Sequence, residues 1–221
     1  MEACDRAVKD TVYEQLAAVG KALASPRRLE LLDLLAQGER GVEALAAAAG
    51  LGVTNTSAHL QVLARARLVA TRKRGTRVLY RLADDRVAAF LATLRGLAHD
   101  RLPGIDHALR TLVRSTEDPE PVTRAQLAER LARNEVVVVD VRPPEEYVAG
   151  HIPNARSVPL PQLETALAEL PRDAEIVAYC RGPFCAYAHE AVRQLHADGR
   201  RARRLAEGWP EWRLATKSKA A

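Results

Sequence analysis

Apolar residues recur at helical spacing through most of the first hundred positions. Near the start they stand three or four positions apart, at Val12, Leu16, Val19 and Leu23. This spacing predicts a first helix that packs either on its own domain or on a partner subunit. A second helix is expected to open at Ser25-Pro26, because serine caps helix starts and proline suits the first helical position.

Two short helices come next along the chain. An alanine-rich stretch over 41–50 stops at Gly50, and Thr54 starts a further helix that runs to about Arg67. Two helices around a glycine turn are typical of a helix-turn-helix motif, in which the second helix reads the DNA.

A hairpin is predicted directly after this second helix. Residues 68–72 and 77–82 are β-type runs that flank a turn containing glycine, over 73–76. A hairpin in this place is called a wing. Asp84 then begins a helix with an apolar face, which completes the N-terminal half.

The C-terminal half has a different pattern, in which an apolar run leads into a turn with two cysteines. Residues 175–179 read as a buried strand, and helical character follows the turn as far as Gly199. Cys180 therefore lies where backbone N–H groups and a helix dipole favour a thiolate, the nucleophilic form. Two interpretations stay open for Cys180, a reactive cysteine and a small buried hydrophobe.

Length and charge indicate two domains with different partners. A chain of 221 residues favours two compact domains of ordinary size. Residues 1–101 hold 16 Lys and Arg against 11 Asp and Glu, so the whole net charge of +5 belongs to this part. No acidic residue occurs between Glu43 and Asp84, while seven basic residues do. Such a block indicates a polyanionic partner, with a solvated basic face as the alternative.

Several classes of protein are not expected from this sequence. No apolar run approaches the roughly 18 residues of a membrane span, and the N-terminus lacks the layout of a signal peptide. We therefore expect a cytoplasmic protein with no membrane partner, whose cysteines are reduced at rest. No cofactor is expected. No metal site is expected either, because the stretch with the helix-turn-helix, residues 37–67, lacks cysteine, and the two histidines His99 and His107 are too few for a tetrahedral site.

Four motifs in the first half carry a family resemblance: residues 22–29, Ser57-Ala58-His59-Leu60, Leu68-Val69 and Arg74-Gly75-x-Arg77. With these motifs the half resembles the ArsR family of winged-helix repressors. Ala66-Arg67-Leu68 stands where that family usually has Ala-Gly-Leu. The resemblance implies a homodimer, built mainly by the first and last helices of this domain, that binds a double-stranded DNA operator.

The resemblance also assigns candidate DNA contacts. In the recognition helix they are Thr54, Asn55, Ser57, His59 and Gln61. In the wing they are Arg72, Lys73, Arg74 and Arg77, which suit phosphates and a narrow minor groove. Two interpretations of His59 stay open, a DNA contact and a satisfied surface residue.

A second resemblance covers about the last hundred residues. Its motifs are Asp140-Val141-Arg142, Glu146-Tyr147, Gly150-His151-Ile152-Pro153, the loop after Tyr179 and Gly208-Trp209. They resemble the rhodanese family, which implies an α/β domain in which Cys180 accepts a sulfane sulfur as a persulfide. Thiosulfate or a polysulfide would be the anionic partner. Asp140, Arg142 and His151 would hold the surroundings of the loop in place.

The cysteine loop departs from the usual rhodanese loop, which has glycine fourth and often a basic residue sixth. Here Arg181 is second, Gly182 is third and Cys185 is sixth. Arg181 would then replace the missing cation. Cys185 would attack a Cys180 persulfide or form a disulfide with Cys180, and the alternative is an inert residue at a helix start.

The sequence thus predicts an α+β winged helix-turn-helix domain over 1–101, a helix and linker over 102–121, and an α/β rhodanese-like domain with a parallel sheet over 122–221. The favoured function is a DNA-binding transcriptional regulator that senses reactive sulfur or redox state through Cys180. The alternatives are a thiosulfate-type sulfurtransferase with an accessory DNA-binding module, and a repressor whose rhodanese domain binds an oxyanion without turnover.

Overall fold

The structure is a computed structural model that describes residues 2–113 and 119–218. The chain divides into two compact units, with the boundary between Ala88 and Ala89. The first unit holds helices α1 (Glu2–Leu23), α2 (Pro26–Gln37), α3 (Val42–Ala49) and α4 (Val53–Arg65), and strands β1 (Arg40–Gly41), β2 (Val69–Arg74) and β3 (Arg77–Leu82). Helix α5 (Asp85–Arg101) contains the boundary.

Local sequence signals account for these elements. Pro26 stands at the start of α2, and Gly50 ends α3 in the left-handed conformation, with φ of 61°, as expected for a glycine C-cap. Gly75 has φ of 61° as the first residue of the two-residue turn between β2 and β3, which suits the turns that join hairpin strands. The predicted helix-turn-helix and wing are confirmed.

Arg67 stands where the ArsR pattern usually has glycine, and its backbone conformation shows why glycine is usual there. Its φ is 56°, a left-handed conformation that glycine adopts without steric cost and that side chains rarely adopt. Glycine is therefore the residue that this turn favours, and the chain carries arginine there instead.

The sheet of the first unit has the antiparallel order β1-β3-β2. Strand β1 was not predicted from the sequence. It arises because Arg40 and Gly41 pair with Tyr80 and Leu79 of the wing. The core of this unit is formed by leucines with no exposed surface, namely Leu31, Leu32, Leu45, Leu60 and Leu63.

The second unit contains the remaining elements. They are α6 (Pro103–Val113), α7 (Arg124–Ala132), β4 (Val136–Asp140), α8 (Pro144–Ala149), β5 (Arg156–Ser157), α9 (Leu163–Ala166), β6 (Glu175–Tyr179), α10 (Ala186–Ala197), β7 (Ala202–Arg204) and α11 (Trp209–Ser218). The sequence predicted a helix and a linker over 102–121. This helix is separate from α5 and begins at Pro103, because the residue before a proline is disfavoured in helical conformation.

The four strands of this unit form a parallel sheet in the order β5-β4-β6-β7. Successive residues of β6 face opposite sides: Ile176 and Ala178 pack in the cluster that includes α10, and Val177 and Tyr179 in the cluster that includes α7 and α11. Helices thus cover both faces, as parallel sheets require. The predicted fold class is confirmed in both units.

The register of β4 and β6 places the candidate site. Asp140 pairs with Tyr179 at the carboxyl ends of the two strands. The loops that follow both strands therefore open at one edge of the sheet, where ligands of α/β folds usually bind.

Two sequence predictions fall partly outside the described residues. The predicted helix and linker over 102–121 includes residues 114–118, and the predicted domain over 122–221 includes residues 219–221, and these residues are not described. No described helix has the length and apolar character to cross a membrane.

Candidate functional site

The candidate site centres on residues 180–185, which we call the cysteine loop. Strand β6 ends at Tyr179, one residue before the loop, and α10 begins at Ala186, directly after it. Within the loop, Cys180 and Cys185 are joined by a disulfide, with their Cα atoms 6.3 Å apart. This separation lies within the usual range for disulfide-bonded cysteines.

Cys180 is buried in this disulfide form, with 1% of its surface exposed. It belongs to the apolar cluster beneath α10, and Cys185 packs against that cluster. Of the two interpretations that the sequence left open for Cys180, this burial agrees with the small buried hydrophobe and not with a sulfur open to solvent. Covalent attachment to Cys185 and the folded-back turn, in which the Cys185 N–H donates to Gly182 O at 3.1 Å, cover the side chain.

Arg181 is paired with Glu146 of α8. Its Nε donates to both carboxylate oxygens, at 2.9 and 3.1 Å, and its Nη2 donates to Oε1 at 2.7 Å. The Glu146 side chain is fully buried, whereas 21% of the Arg181 side chain is exposed. Arg181 was expected to supply the positive charge of the loop, and this contact compensates that charge.

The backbone at Gly208 lies directly behind the cysteine loop. A Cβ atom at Gly208 would stand 2.4 Å from the carbonyl carbon of Arg181 and 2.5 Å from Gly182 N. Next to it, the Trp209 N–H donates to Cys180 O at 3.3 Å. The start of α11 therefore fixes the backbone on which Cys180 is presented.

A buried polar network lies beneath the loop, at the ends of β4 and β6. Arg142 and Asp140 are both fully buried. Arg142 donates from its backbone N and from Nε to Asp140 Oδ1, at 3.0 and 2.9 Å. The Tyr179 hydroxyl donates to Asp140 Oδ2 at 2.5 Å and accepts from Ile152 N at 3.1 Å. Burial and the negative charge of Asp140 raise the pKa of Tyr179, so its hydroxyl keeps the proton that it donates.

His151 lies at the end of α8. Its Nδ1 is 2.9 Å from Tyr147 O, and its ring stacks on the Tyr147 ring with centroids 3.8 Å apart. Arg142 Nη2 donates to the neighbouring Gly150 O at 2.7 Å. The structure thus brings His151 and the Asp140–Arg142 pair together around the turn after α8.

The recognition helix presents most of its candidate residues to solvent. Thr54, Asn55 and Gln61 are exposed, and Ser57 and His59 are half-buried. Thr56, another polar residue of this helix, is fully buried and donates through its hydroxyl to Gly52 O at 3.1 Å. The exposed face of α4 therefore contains the candidates but not Thr56.

In the wing, Arg72 differs from the other candidate cations. All four are exposed, and Arg72 also donates from Nε to Glu39 Oε2 at 3.1 Å and from Nη2 to Oε1. The hydrogen bond from Arg72 lowers the pKa of Glu39. One wing cation is thus compensated by a carboxylate that the uninterrupted basic block did not reveal.

Comparison with known proteins agrees with both units. The model described as "Bacterial regulatory protein, arsR family" matches residues 25–71, and that of the rhodanese-like domain matches 123–215. The HTH-type transcriptional regulator Rv0324 of Mycobacterium tuberculosis is 49% identical over 207 residues, which cover 94% of this chain and 91% of that protein. The chain belongs to the arsR family. It is a transcriptional regulator with a C-terminal rhodanese-like domain.

Other similarities of this ArsR regulator cover one domain each. A sulfurtransferase of Allochromatium vinosum is 39% identical over 62 residues, or 28% of this chain and 58% of that protein. The solution structure of a homodimeric winged helix-turn-helix DNA-binding domain from Mycobacterium bovis is 49% identical in sequence, with a TM-score of 0.42. The matched region covers 43% of this chain and 89% of that domain's chain.

Three residues of this regulator were absent from the sequence-based candidates. Glu39 and Glu146 lie more than thirty residues from the arginines that they contact. Gly208 belongs to a rhodanese-like motif, yet nothing in that motif shows its contact with the loop. The Glu146-Tyr147 and Gly208-Trp209 motifs were the signals that could have pointed to the second and third residues.

Proposed function

We propose that this ArsR regulator binds its operator as a homodimer in the cytoplasm, and that sulfur chemistry at Cys180 modulates the binding. The observation that carries this proposal is the pair of cysteines on one loop, within disulfide-bonding distance at the end of a buried strand. Two thiols so placed can change covalent state without an additional cofactor.

The DNA-binding part of the proposal rests on exposure and charge. Thr54, Asn55 and Gln61 on the exposed face of α4 suit base edges in a major groove, with Ser57 and His59 beside them. Lys73, Arg74 and Arg77 suit the phosphates that flank this groove. Arg72 contributes once its ion pair with Glu39 exchanges for a phosphate.

The homodimer part rests on apolar residues that the chain does not cover. On α1, Val8, Val12 and Leu16 are each more than half exposed and stand at spacings of four residues. Phe90 and Leu97 of α5 are 49% and 56% exposed. A second copy of the chain would bury these faces, because large apolar stripes on helices favour packing over solvation.

The sulfur chemistry has two steps. A donor transfers sulfane sulfur to Cys180 and leaves a persulfide, and the Cys185 thiol then displaces that sulfur and closes the disulfide. The disulfide form, with Cys180 buried, is then unable to accept more sulfur. Asp140, Arg142 and His151 keep the loop surroundings in place, since they connect the ends of β4 and β6 with the turn after α8.

Access to Cys180 follows from the position of the loop. Residues 181–186 are half-buried, so Cys180 lies one layer below the surface in the oxidised form. We expect reduction of the disulfide to let residues 181–186 move away from Cys180. Iodoacetamide at neutral pH should then label Cys180 in the reduced protein but not in the oxidised protein. No labelling of the reduced protein would argue for a purely structural cysteine.

The test of the proposal is operator binding in two covalent states. Gel-shift titrations on the DNA upstream of the protein's own gene should show that polysulfide changes the affinity at least about fivefold, the lower end of typical allosteric coupling. Cys185→Ser should abolish disulfide formation and alter this response, whereas Cys4→Ser, which removes a thiol outside the loop, should not. If the reduced and the polysulfide-treated protein bind the operator with equal affinity, the proposed sensor function is refuted.

A second candidate function is sulfurtransferase turnover, which the likeness to the Allochromatium vinosum sulfurtransferase favours. In this case the protein would form thiocyanate from thiosulfate and cyanide, and Cys180→Ser would abolish the activity. Turnover without any effect on DNA affinity would make the DNA-binding domain an accessory module. A rhodanese-like domain that binds an oxyanion without turnover would show neither thiocyanate formation nor a persulfide.

A further inference from the structure

The charge next to Cys180 is cancelled within the protein. Arg181 follows Cys180 directly, and its guanidinium bonds both oxygens of the fully buried Glu146 carboxylate. A bidentate pair of this kind is strong and fixed in geometry. A buried carboxylate also needs a cation, since unpaired charge in the interior is costly. Arg181 is therefore committed to Glu146, and a donor at Cys180 faces no net positive charge from this pair.

The loop backbone also lacks one amide hydrogen in every covalent state. Pro183 has no N–H, so one of the six loop positions cannot contribute to an amide cradle. The positive charge of nearby side chains therefore gains importance for an anionic donor.

Sulfane-sulfur donors differ in the charge of the group that leaves. When a thiolate takes the outer sulfur of thiosulfate, the S–S bond breaks and sulfite leaves as a dianion. When it takes the outer sulfur of a hydropersulfide, R′–S–SH, a thiolate with a single charge leaves. Stabilising charge at a leaving group requires donors or cations aimed at it. A site without net positive charge therefore disfavours thiosulfate much more than a hydropersulfide.

We propose that Glu146 is a specificity-determining residue, which directs Cys180 to hydropersulfide donors and away from thiosulfate by holding Arg181. This inference rests on the proposed function, in which Cys180 accepts sulfane sulfur. Glu146 acts through Arg181 and contacts neither the donor nor the sulfur. The regulator would accordingly respond to hydropersulfides in the presence of thiosulfate.

The reaction balances without a further reagent. In the first step, Cys180–SH and R′–S–SH give Cys180–S–SH and R′–SH, as the S–S bond of the donor breaks and a new one forms. In the second step, the Cys185 sulfur attacks Cys180 Sγ, so that the products are the Cys180–Cys185 disulfide and H₂S. The two thiols lose two electrons and the transferred sulfur gains them.

The experiment compares two donors in a single turnover of the reduced, full-length protein. Glutathione hydropersulfide and thiosulfate are each mixed with wild type, Glu146→Gln and Glu145→Gln. Disulfide formation is followed by mass spectrometry and the release of sulfide by bimane trapping. Glu145→Gln is the control, because it removes the same charge from the neighbouring, exposed position of α8.

Wild type and the control should react with the hydropersulfide at least about a hundredfold faster than with thiosulfate. The loss of one group that stabilises developing charge typically lowers a rate by about this factor. Glu146→Gln should raise the thiosulfate rate about tenfold or more and change the hydropersulfide rate by less than about threefold, because the freed Arg181 stabilises the leaving dianion. The retained hydropersulfide rate shows at the same time that the variant is folded.

Equal rates of wild type with both donors would overturn the inference, whether or not Glu146→Gln folds. An unchanged donor ratio in a folded Glu146→Gln variant would overturn it as well. If the wild type gives neither persulfide nor sulfide with either donor, the failure lies in the proposed function itself.

Discussion

Single residues around the cysteine loop are constrained by space as much as by chemistry. Gly208 shows this most directly, because the atoms closest to its missing side chain are backbone atoms of Arg181 and Gly182. Backbone cannot rotate away as a flexible side chain can. The glycine therefore allows α11 to approach the loop, and Trp209 then reaches Cys180 O.

We predict that Gly208→Ala displaces the loop. The new Cβ would stand 2.4 Å from Arg181 backbone atoms, and overpacking of this kind costs about 1–3 kcal/mol of unfolding free energy. Urea unfolding measures the loss, and the rate of Cys180–Cys185 disulfide formation should fall with it. Gly182→Ala, where nothing lies within 4 Å of the added atom, serves as the control. A Gly208→Ala protein as stable as this control would contradict the assignment.

At the scale of elements, Arg72 is the one of the four candidate cations in the wing that pairs with the carboxylate of Glu39. Strand β1 is adjacent to β3, and Glu39 stands one residue before β1, where it meets Arg72 of β2. The hairpin is thereby joined to the rest of the first unit about midway along its strands. Its tip, around Gly75, keeps Lys73, Arg74 and Arg77 exposed.

Operator binding should depend on salt through this tip. A cation that neutralises one phosphate contributes about one unit to the slope of log affinity against log salt. We therefore expect Arg74→Ala to reduce this slope by about one per protomer, and to weaken binding to specific and non-specific DNA alike. Arg86→Ala removes a charge that is also exposed and is paired with Asp84, and it should leave the slope unchanged. A slope unaffected by Arg74→Ala would remove the wing from the DNA interface.

At the scale of the whole molecule, the uncovered face of α1 is the main unexplained apolar surface among the described residues. Val8, Val12, Tyr13 and Leu16 are between 52% and 68% exposed. The sequence left open whether this helix packs on its own domain or on a partner subunit. Of residues 6–23 of this helix, only Ala22 and Leu23 at the C-terminal end are buried within the chain, so the structure favours the partner.

We predict that Leu16→Glu separates the homodimer. A charge in the middle of an apolar interface is costly to desolvate, whereas the same charge on the exposed helix of a monomer changes its folding free energy little. Sedimentation velocity should show a monomer, and operator affinity should fall at least about tenfold as the second half-site contact is lost. Ala7→Glu, which adds a charge at an exposed position on the opposite side of this helix, is the control. A Leu16→Glu protein that stays dimeric would place the interface elsewhere.

The sequence by itself determined the elements of the first unit other than β1, together with the two family resemblances. Helix starts and ends depend on local signals such as Pro26 and Gly50, and the hairpin on Gly75, because these residues fix backbone angles within one turn. The motifs around Asp140 and Cys180 likewise sufficed to predict a rhodanese-like sheet and the loop at its edge.

Only the tertiary structure decided which charges of the site are compensated and which side chains are exposed. The partners Arg181 and Glu146 are 35 residues apart, and Arg72 and Glu39 are 33 residues apart, so their pairing depends on how strands and helices pack. The burial of Cys180 likewise depends on the apolar cluster under α10. Residue type and spacing specify backbone conformation locally, whereas charge compensation and exposure are set by residues distant in sequence, which folding brings into contact.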